Sequence, residues 1–364
     1  MSNFKGFKNF EHGKDVRTGI LICNLGTPDA PTSKAVRRYL AEFLSDPRII
    51  ELPQFLWLPL LHCIILNSRP KRSAKAYAKI WTDSGSPLLV HSQNLRNKLE
   101  KCFDRNWLTF ELGMRYGNPS IEAALDKLIE RGARQILVVP LYPQYAAATT
   151  ASAYDAVFRY CANLRWIPQL RFTSAYHNEG KYISALVDTI KNHWERHGRS
   201  EKLLFSFHGI PRSTFLEGDP YHCQCLETAR LVIEELDINP ESALTTFQSR
   251  VGWGEWLKPY TDSTLKKMAT EGISTVDAIC PGFAVDCLET LEEIAIQNAN
   301  LFQAHGGQRL TYINSLNDSD NHVELLRDVI IKNLADWHSV PPSSKTEQAL
   351  AAKRAKIMVF EKDN

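Results

Sequence analysis

Two stretches decide the fold: "TGILICNLGTPDAP" at residues 18–31 and "EKLLFSFHGIPRST" at residues 201–214. Each consists of an apolar run, then Gly, one residue and Pro, and then the polar start of a helix. An apolar run with little alternation is typical of a parallel strand that is covered on both faces. The two stretches therefore predict that one α/β unit is used twice along the chain.

A second pair of stretches follows in the same order. "RGARQILVVPLYPQYAAATTASAYDAV" at residues 131–157 resembles "EGISTVDAICPGFAVDCLETLEEI" at residues 271–294, each with Gly, a strand, a Pro-bearing loop and a helix. Alternating strands and helices predict parallel sheets, whose ligands bind beyond the C-terminal ends of the strands. We expect a cleft between two similar domains at residues 17–165 and 166–336, followed by a polar tail at 337–364.

Length, charge and cysteine usage exclude several classes of protein. A chain of 364 residues exceeds the usual single domain, and a net charge of +2 argues against a dedicated nucleic-acid binder. Neither GxGxxG nor GxxxxGK[ST] is present, which argues against a nucleotide cofactor. The eight cysteines are scattered, as in a reduced cytoplasmic protein, and we expect no secretory signal.

The most apolar run, "FLWLPLLHCIIL" at residues 55–66, is too short to span a bilayer. A basic segment follows it directly, with Arg69, Lys71, Arg72, Lys75 and Lys79. One interpretation is a solvated basic helix face. The other is an apolar lip with a basic rim at residues 55–79, suited to a flat apolar ligand that carries carboxylates or to peripheral contact with an anionic inner membrane.

Residues that could carry chemistry follow the strands of the second half. His208, directly after "LLFSF", can bind a metal or accept a proton, or can be a hydrogen-bonded core histidine. Glu289 and Glu293 are four apart, so on a helix they share a face where a cation or proton would relieve their repulsion. The alternative is an ordinary acidic first turn, in which Asp286 and Glu292 serve the helix dipole or face solvent.

The cysteines lack the repeated C-x₂-C spacing of zinc and iron–sulfur sites. Cys223 and Cys225 form a single C-x-C beside His222, and Cys280 lies at a predicted strand end near Cys287. We interpret these residues as packing thiols.

Six motifs together resemble ferrochelatase, and more closely the protoporphyrin enzyme of gamma-proteobacteria. They are "LICNLGTPDAP", "YPQYAAATT", "LLFSFHGIP", "EGDPY", "TFQSRVGWGEWLKPYTD" and "CPGFAVDCLETLEEI". The resemblance runs from about residue 17 to about residue 335. It implies an α/β fold of two Rossmann-like domains of the class II chelatase type, each a parallel sheet flanked by helices, which face a porphyrin cleft.

The resemblance also implies a lyase-type activity, the insertion of Fe²⁺ into protoporphyrin IX with release of two protons, which ends haem synthesis. The family's catalytic and metal-binding residues fall on His208 and Glu289. Further cleft residues would be Asn24, Leu25, Arg115, Tyr116, Tyr142, Trp256 and Glu293. Fe²⁺ is then a substrate, and no prosthetic group is expected.

Three departures from the family pattern bear on this site. The acidic line of the family would continue at position 297, which is Gln297, and some relatives have a histidine where this chain has Cys287. Some relatives bind a [2Fe–2S] cluster through C-terminal cysteines, but no cysteine follows Cys287 and "YAAATT" carries alanines where those relatives place a ligand. We therefore expect no [2Fe–2S] cluster.

Several alternatives remain open at this point. A neutral imidazole and a carboxylate on opposite walls could ligate the metal weakly and accept protons, whereas thiolates would hold a metal too firmly.

Within chelatases, the metal could be cobalt or nickel, and the tetrapyrrole could be coproporphyrin. A non-catalytic haem or porphyrin carrier would need an axial ligand and an apolar slot but no acid–base pair. A general α/β binding module is the broadest alternative.

Overall fold

A computed structural model describes residues 4–7, 16–250, 254–339, 349–350 and 353 of the chain. Residues 251–253 of the motif at 246–262 and most of the predicted tail at 337–364 lie outside the described residues. The domain boundaries at residues 165 and 336 stay predictions.

Two four-stranded parallel sheets have the same strand order, β2-β1-β3-β4 and β6-β5-β7-β8. The strands are β1 Arg17–Thr27, β2 Leu108–Gly117, β3 Ala133–Pro140, β4 Gln169–Phe172, β5 Lys202–His208, β6 Ala243–Gln248, β7 Thr275–Ile279 and β8 Arg309–Ile313. The prediction that one α/β unit is used twice is confirmed, since β1 and β5 are the second strands of their sheets.

The helices cover the sheets and build a separate layer at one end. They are α1 Ser33–Leu44, α2 Gln54–Leu60, α3 Leu66–Ile80, α4 Pro87–Lys101, α5 Ile121–Glu130, α6 Ser152–Cys161, α7 Gly180–His197, α8 Arg212–Leu216, α9 Tyr221–Leu236, α10 Thr261–Thr270, α11 Ala299–Ala304 and α12 Asp320–Leu334. Three π-helical segments are Leu61–Ile65, Ala147–Ala151 and Glu289–Asn298, and 3₁₀ turns are Pro240–Ser242 and Ala335–Ser339. The stretch "SKAVRRYLAEFL" has helical spacing, which predicts a helix capped by Ser33 or Thr32. Helix α1 has these bounds, and Thr32 is its N-cap.

The core runs through both halves of the molecule. Ile22, Phe110, Phe207 and Phe247 belong to one buried cluster, although they come from strands of different sheets. Burial of both faces of β1 explains its unbroken apolar run, because a parallel strand between helix layers has no solvent face.

The loops after β3 and β5 are joined across the two halves. The carboxylate of Asp219 accepts hydrogen bonds from the backbone N–H of Ala147, at 2.7 Å, and of Tyr221, at 3.0 Å. Gln224 accepts a further bond from the N–H of Tyr145. Asp219, in the "EGDPY" motif, therefore anchors the π-helical turn of one half to the start of α9 in the other.

The segment from α2 to α3, called the mouth segment here, carries an apolar surface. Phe55, Leu56 and Ile64 are 77%, 61% and 60% exposed, while Trp57 and Leu61 are buried against α1. Among the described residues, no helix has both the length and the apolar character that crossing a membrane requires.

A glycine lets β1 and β2 approach closely at their C-terminal ends. Gly26 has φ +108° and lies opposite Tyr116 in the register of the two strands. A Cβ at Gly26 would lie 1.8 Å from the carbonyl oxygen of Tyr116. The close approach therefore requires glycine for its backbone conformation and also for space.

We expect Gly26→Ala to lower the free energy of unfolding by about 3 kcal/mol or more, because left-handed strain and steric overlap add. Gly272→Ala is the matched control, since Gly272 has φ +92° but no atom within 4 Å of a built Cβ. Its expected cost is only about 1 kcal/mol. Denaturant unfolding measures both, and equal losses would contradict the steric argument.

Candidate active site

His208 is the last residue of β5 and is partly exposed at the C-terminal edge of the second sheet. Its Nδ1 lies 2.7 Å from the carbonyl oxygen of Gly209. Because a carbonyl only accepts hydrogen bonds, Nδ1 carries the proton in this contact. With the proton on Nδ1, a neutral imidazole has its lone pair on Nε2, the nitrogen that can bind a metal or accept a proton.

Gln248 connects this strand end to the π-helix Glu289–Asn298. It is the register partner of His208 on β6 and is buried. Its amide nitrogen donates to the backbone oxygen of Glu289, at 2.9 Å, and to the carboxylate of Glu293, at 3.3 Å. Its amide oxygen accepts from the hydroxyl of Ser206, at 2.7 Å, which fixes the orientation of the carboxamide.

Glu289 and Glu293 lie on a π-helix, whereas the sequence led us to expect an ordinary helical face. Residues four apart are just under one turn of a π-helix, so both carboxylates still face the same side. Glu293 accepts a hydrogen bond from the hydroxyl of Ser249. Burial raises the pKa of Glu293, Ser249 and His208 lower it, and the negative charge of Glu289 raises it again. The structure therefore brings His208, Glu289 and Glu293 into one electrostatic environment.

Glu289 also faces the layer of helices in the first half. Burial raises the pKa of Tyr77 well above its usual range, and the charge of Glu289 adds to this. The pKa of Tyr39 is also raised well above its usual range, first by burial, then by Tyr77 and then by the charge of Glu289. Desolvation and Arg72 lower the pKa of Arg69, and Glu289 opposes them. The charge of Glu289 therefore acts both on Glu293, beside the His208 strand end, and on residues of α1 and α3.

The thiols near the site are neutral. Burial raises the pKa of Cys280 and Cys287 well above the usual range, and the charge of Glu289 adds to this effect at Cys287. No group of three or more His, Cys, Asp or Glu side chains among the described residues is arranged to hold a metal ion. His208, Glu289 and Glu293 therefore do not form a closed chelating cluster.

The alternative in which Asp286 and Glu292 face solvent is wrong. Both side chains are buried. The carboxylate of Asp286 accepts from the Tyr312 hydroxyl, at 2.6 Å, and from the Asn317 amide, at 2.7 Å. A buried carboxylate needs such donors, because they replace the water that it loses.

The remaining predicted residues of the first half are held by internal contacts. Arg115 and the Tyr116 hydroxyl both donate to the buried carboxylate of Asp46. Asn24 donates to Ser92, at 3.0 Å. These polar groups are thus already paired within the protein.

Leu25, Tyr142 and Trp256 complete the predicted set. Leu25 packs against two apolar clusters, one of which contains the helices of the mouth segment. The Tyr142 hydroxyl is buried and has no hydrogen-bond partner within the described part of the chain. The backbone of Trp256 forms an isolated antiparallel β-bridge with Pro211. Its ring lies beside Gly209, the residue that follows His208 in the chain.

Gln248 and Ser249 are site residues that were not predicted from the sequence. They occupy the same place in the second half as Arg115 and Tyr116 in the first, directly after a strand residue whose backbone N–H donates to a proline carbonyl. These bonds are Met114 N to Pro119 O and Phe247 N to Pro259 O. A comparison of "MRYGNPS" with the end of β6 would have indicated both residues. Tyr39 and Tyr77, on whose pKa values the charge of Glu289 acts, lie in no motif that would have indicated them from the sequence.

Comparison with known proteins identifies the relatives of the chain. The ferrochelatase family profile matches residues 17–334. The ferrochelatase of Idiomarina loihiensis is 47% identical over 92% of this chain and 93% of its own length. The ferrochelatase of Nitrosococcus oceani is 49% identical over 92% of each chain.

Two solved structures share the fold. SirB from Bacillus subtilis with Fe³⁺ has a TM-score of 0.53 at 11% identity, covering 89% of this chain and 98% of its own. The sirohydrochlorin chelatase SirB from Bacillus subtilis subspecies spizizenii, in complex with cobalt, has a TM-score of 0.54 at 9% identity, covering 90% and 100%. The expected fold of two Rossmann-like chelatase domains is confirmed.

Because burial raises the pKa of Glu293, its charged form destabilises the fold at neutral pH. We expect Glu293→Gln to raise the Tm by a few degrees at neutral pH. The gain should vanish as the pH falls below 4.5, the ordinary value, where glutamate is protonated in both states. Thermal unfolding across this pH range measures the effect.

Glu255→Gln is the opposite-sign control for this measurement. Hydrogen bonds from Lys258 and Arg212 lower the pKa of Glu255, so its charged form stabilises the fold at neutral pH. Its loss should lower the Tm slightly there and have less effect in acid. An unchanged or lower Tm for Glu293→Gln at neutral pH would contradict the raised pKa.

Proposed function

The chain belongs to the ferrochelatase family, and on this premise we propose that it inserts Fe²⁺ into protoporphyrin IX, forming protohaem and releasing two protons. One observation carries the proposal: the strand end that carries His208 is joined through Gln248 to the π-helix that carries the carboxylates of Glu289 and Glu293. The same three side chains supply weak metal ligands and proton acceptors.

The reaction requires both functions. Each pyrrole N–H bond breaks so that its electron pair stays on nitrogen and forms a bond to iron, while the proton leaves. His208 Nε2 and Glu289 are the proposed acceptors of the two protons and the proposed transient ligands of Fe²⁺. Iron stays divalent throughout, so no oxidant or reductant is needed.

Glu293 is suited to pass a proton onward. A carboxyl whose pKa is raised can hold a proton at a pH where an exposed glutamate cannot. Ser249 and Gln248 fix its carboxylate beside Glu289 and within the influence of His208. The acidic line ends there, because Gln297 is neutral and donates to Glu292 instead.

Neutral, buried thiols support an oxygen and nitrogen site. A thiolate would bind Fe²⁺ and softer metals firmly and so would slow release to the porphyrin. The raised pKa of Cys280 and Cys287 disfavours that form. We also propose that the chain uses no [2Fe–2S] cluster or other resident cofactor, because its cysteines lack the required spacing.

The mouth segment provides a surface for a flat apolar ring with carboxylates. Its apolar residues continue into the cluster that contains Leu25 and Leu288. The charge of Glu289 acts on the pKa of Arg69 in the same segment. Binding energy from this surface could bend the macrocycle and expose its nitrogens. A planar ring in a porphyrin complex would contradict this step.

We expect His208→Ala and Glu289→Gln each to lower the turnover number by roughly 10²–10⁴-fold, because each removes a proton acceptor. Anaerobic Fe²⁺ insertion, followed as loss of protoporphyrin IX fluorescence, measures the rate. His305→Ala and Glu195→Gln are matched controls at exposed positions. Near-normal rates in both site variants would contradict the assignment.

The same assay separates the alternatives. Faster insertion of cobalt or nickel, or faster turnover of coproporphyrin, would assign another chelatase reaction. Tight porphyrin binding with no turnover under any of these conditions would indicate a carrier.

We further propose that this protein is cytoplasmic and contacts the inner membrane peripherally through residues 55–79. Phe55, Leu56, Leu60 and Ile64 are exposed apolar side chains on the mouth segment, and the exposed Lys71 lies on the helix that follows them. Apolar insertion and attraction to anionic headgroups would act together at such a surface.

We expect binding to mixed phosphatidylcholine–phosphatidylglycerol vesicles and much weaker binding to phosphatidylcholine alone. Ile64→Ser should weaken vesicle binding roughly tenfold, because its buried apolar area on the membrane is lost. Ile167→Ser, also at an exposed isoleucine, should have no effect. Vesicle co-sedimentation measures binding, and equal effects of the two changes would contradict this surface.

A further inference from the structure

Glu292 is a buried carboxylate that faces away from the proposed chemistry. Its side chain is 5% exposed, although it lies between Glu289 and Glu293 on the π-helix. One carboxylate oxygen lies 2.8 Å from the Nζ of Lys79, and the other accepts from the amide of Gln297. A buried carboxylate needs donors to replace the water that it loses, and Lys79 and Gln297 are these donors for Glu292.

Lys79 comes from the opposite half of the molecule. It lies in the last turn of α3, while the π-helix follows β7. The sequence grouped Lys79 with the basic rim, but its charge is directed at Glu292. The ion pair therefore joins the mouth segment to the helix that carries the proposed acid–base groups.

Apolar contacts reinforce this junction. Leu288 and Leu291 of the second half pack against the cluster formed by α1 and the mouth segment, which includes Tyr77 on α3. Apolar packing is non-directional, and the directional bonds from Gln248 and Ser249 hold this helix only from the side of the second sheet. A charge-assisted bond has a preferred direction, so Lys79 adds a directional contact from the side of the first half.

The rotation of the π-helix decides where the proposed catalytic carboxylates lie. Glu293 is held on one side by Ser249 and Gln248, and Glu292, the preceding residue, is held on another side by Lys79. The helix is thus clamped from both halves of the protein. Displacement of a catalytic group by about 1 Å can slow a reaction a hundredfold.

We propose that Lys79 is a positioning residue, which acts through Glu292 to hold the π-helix so that Glu289 and Glu293 stay aligned with His208. This inference rests on the proposed function, because it assigns chemistry to those three side chains. The ammonium of Lys79 is directed at Glu292, so we assign Lys79 no direct part in the chemistry.

Four variants separate positioning from simple stabilisation: Lys79→Met, Lys79→Arg, Glu292→Gln and the double variant Lys79→Met/Glu292→Gln. We expect Lys79→Met to lower kcat on the order of tenfold with little change in KM, and to lower the Tm. Lys79→Arg should restore both. Lys101→Met, at an exposed lysine of α4, is the control and should change neither.

The double variant gives the decisive comparison. Glu292 is buried, while the Lys79 side chain is 50% exposed. Removing only Lys79 leaves the Glu292 carboxylate unpaired, whereas replacing both residues by neutral groups leaves no unpaired charge. We expect the double variant to regain the Tm while kcat stays low, because the directional link is still missing. Recovery of kcat together with the Tm, or a normal kcat in Lys79→Met, would overturn the proposal.

Amide hydrogen exchange provides a readout that does not depend on turnover. Lys79→Met should speed exchange in residues 288–298, and Lys79→Arg should not. Exchange identical to the parent protein would overturn the clamp even if the enzyme is active. A parent protein with no chelatase turnover but with the expected exchange pattern would instead reject the proposed function and leave the clamp in place.

Discussion

The carboxamide of Gln248 joins the second sheet to the π-helix, and the geometry of the candidate site depends on it. Parallel pairing of β5 with β6 sets Gln248 beside His208. Ser206 then fixes the amide oxygen, which leaves the amide nitrogen for Glu289 and Glu293. A one-residue slip in the pairing would turn Gln248 to the other face of the sheet and break these bonds.

Buried carboxylates connect the helices and strands that surround the candidate site. Asp46 joins α1 to Arg115 and Tyr116 at the end of β2, Asp286 joins the start of the π-helix to β8, and Glu292 joins the π-helix to the mouth segment. Each charge is stabilised by donors from distant parts of the chain. Moving any of these elements would leave a charge unpaired in a low-dielectric interior, which makes the arrangement stiff.

The two halves share a strand order but differ in what their strand ends do. In the first half, Arg115 and Tyr116 are engaged by Asp46 inside the protein. In the second half, the equivalent Gln248 and Ser249 reach the carboxylates of the π-helix. The repeat thus supplies one scaffold twice, with internal hydrogen bonding at one copy and the proposed chemistry at the other.

The sequence by itself determined the doubled α/β unit and the bounds of α1, and it predicted the grouping of His208 with Glu289 and Glu293. Strand and helix propensity are local properties, and parallel strands place their ends on one edge, so a single sequence contains this information. Only the tertiary structure decided the π-helical geometry, the burial of Asp286 and Glu292, and the pairing of Lys79 across the halves. Those features depend on contacts between residues far apart in the chain, and local pattern carries no record of which buried charge meets which donor.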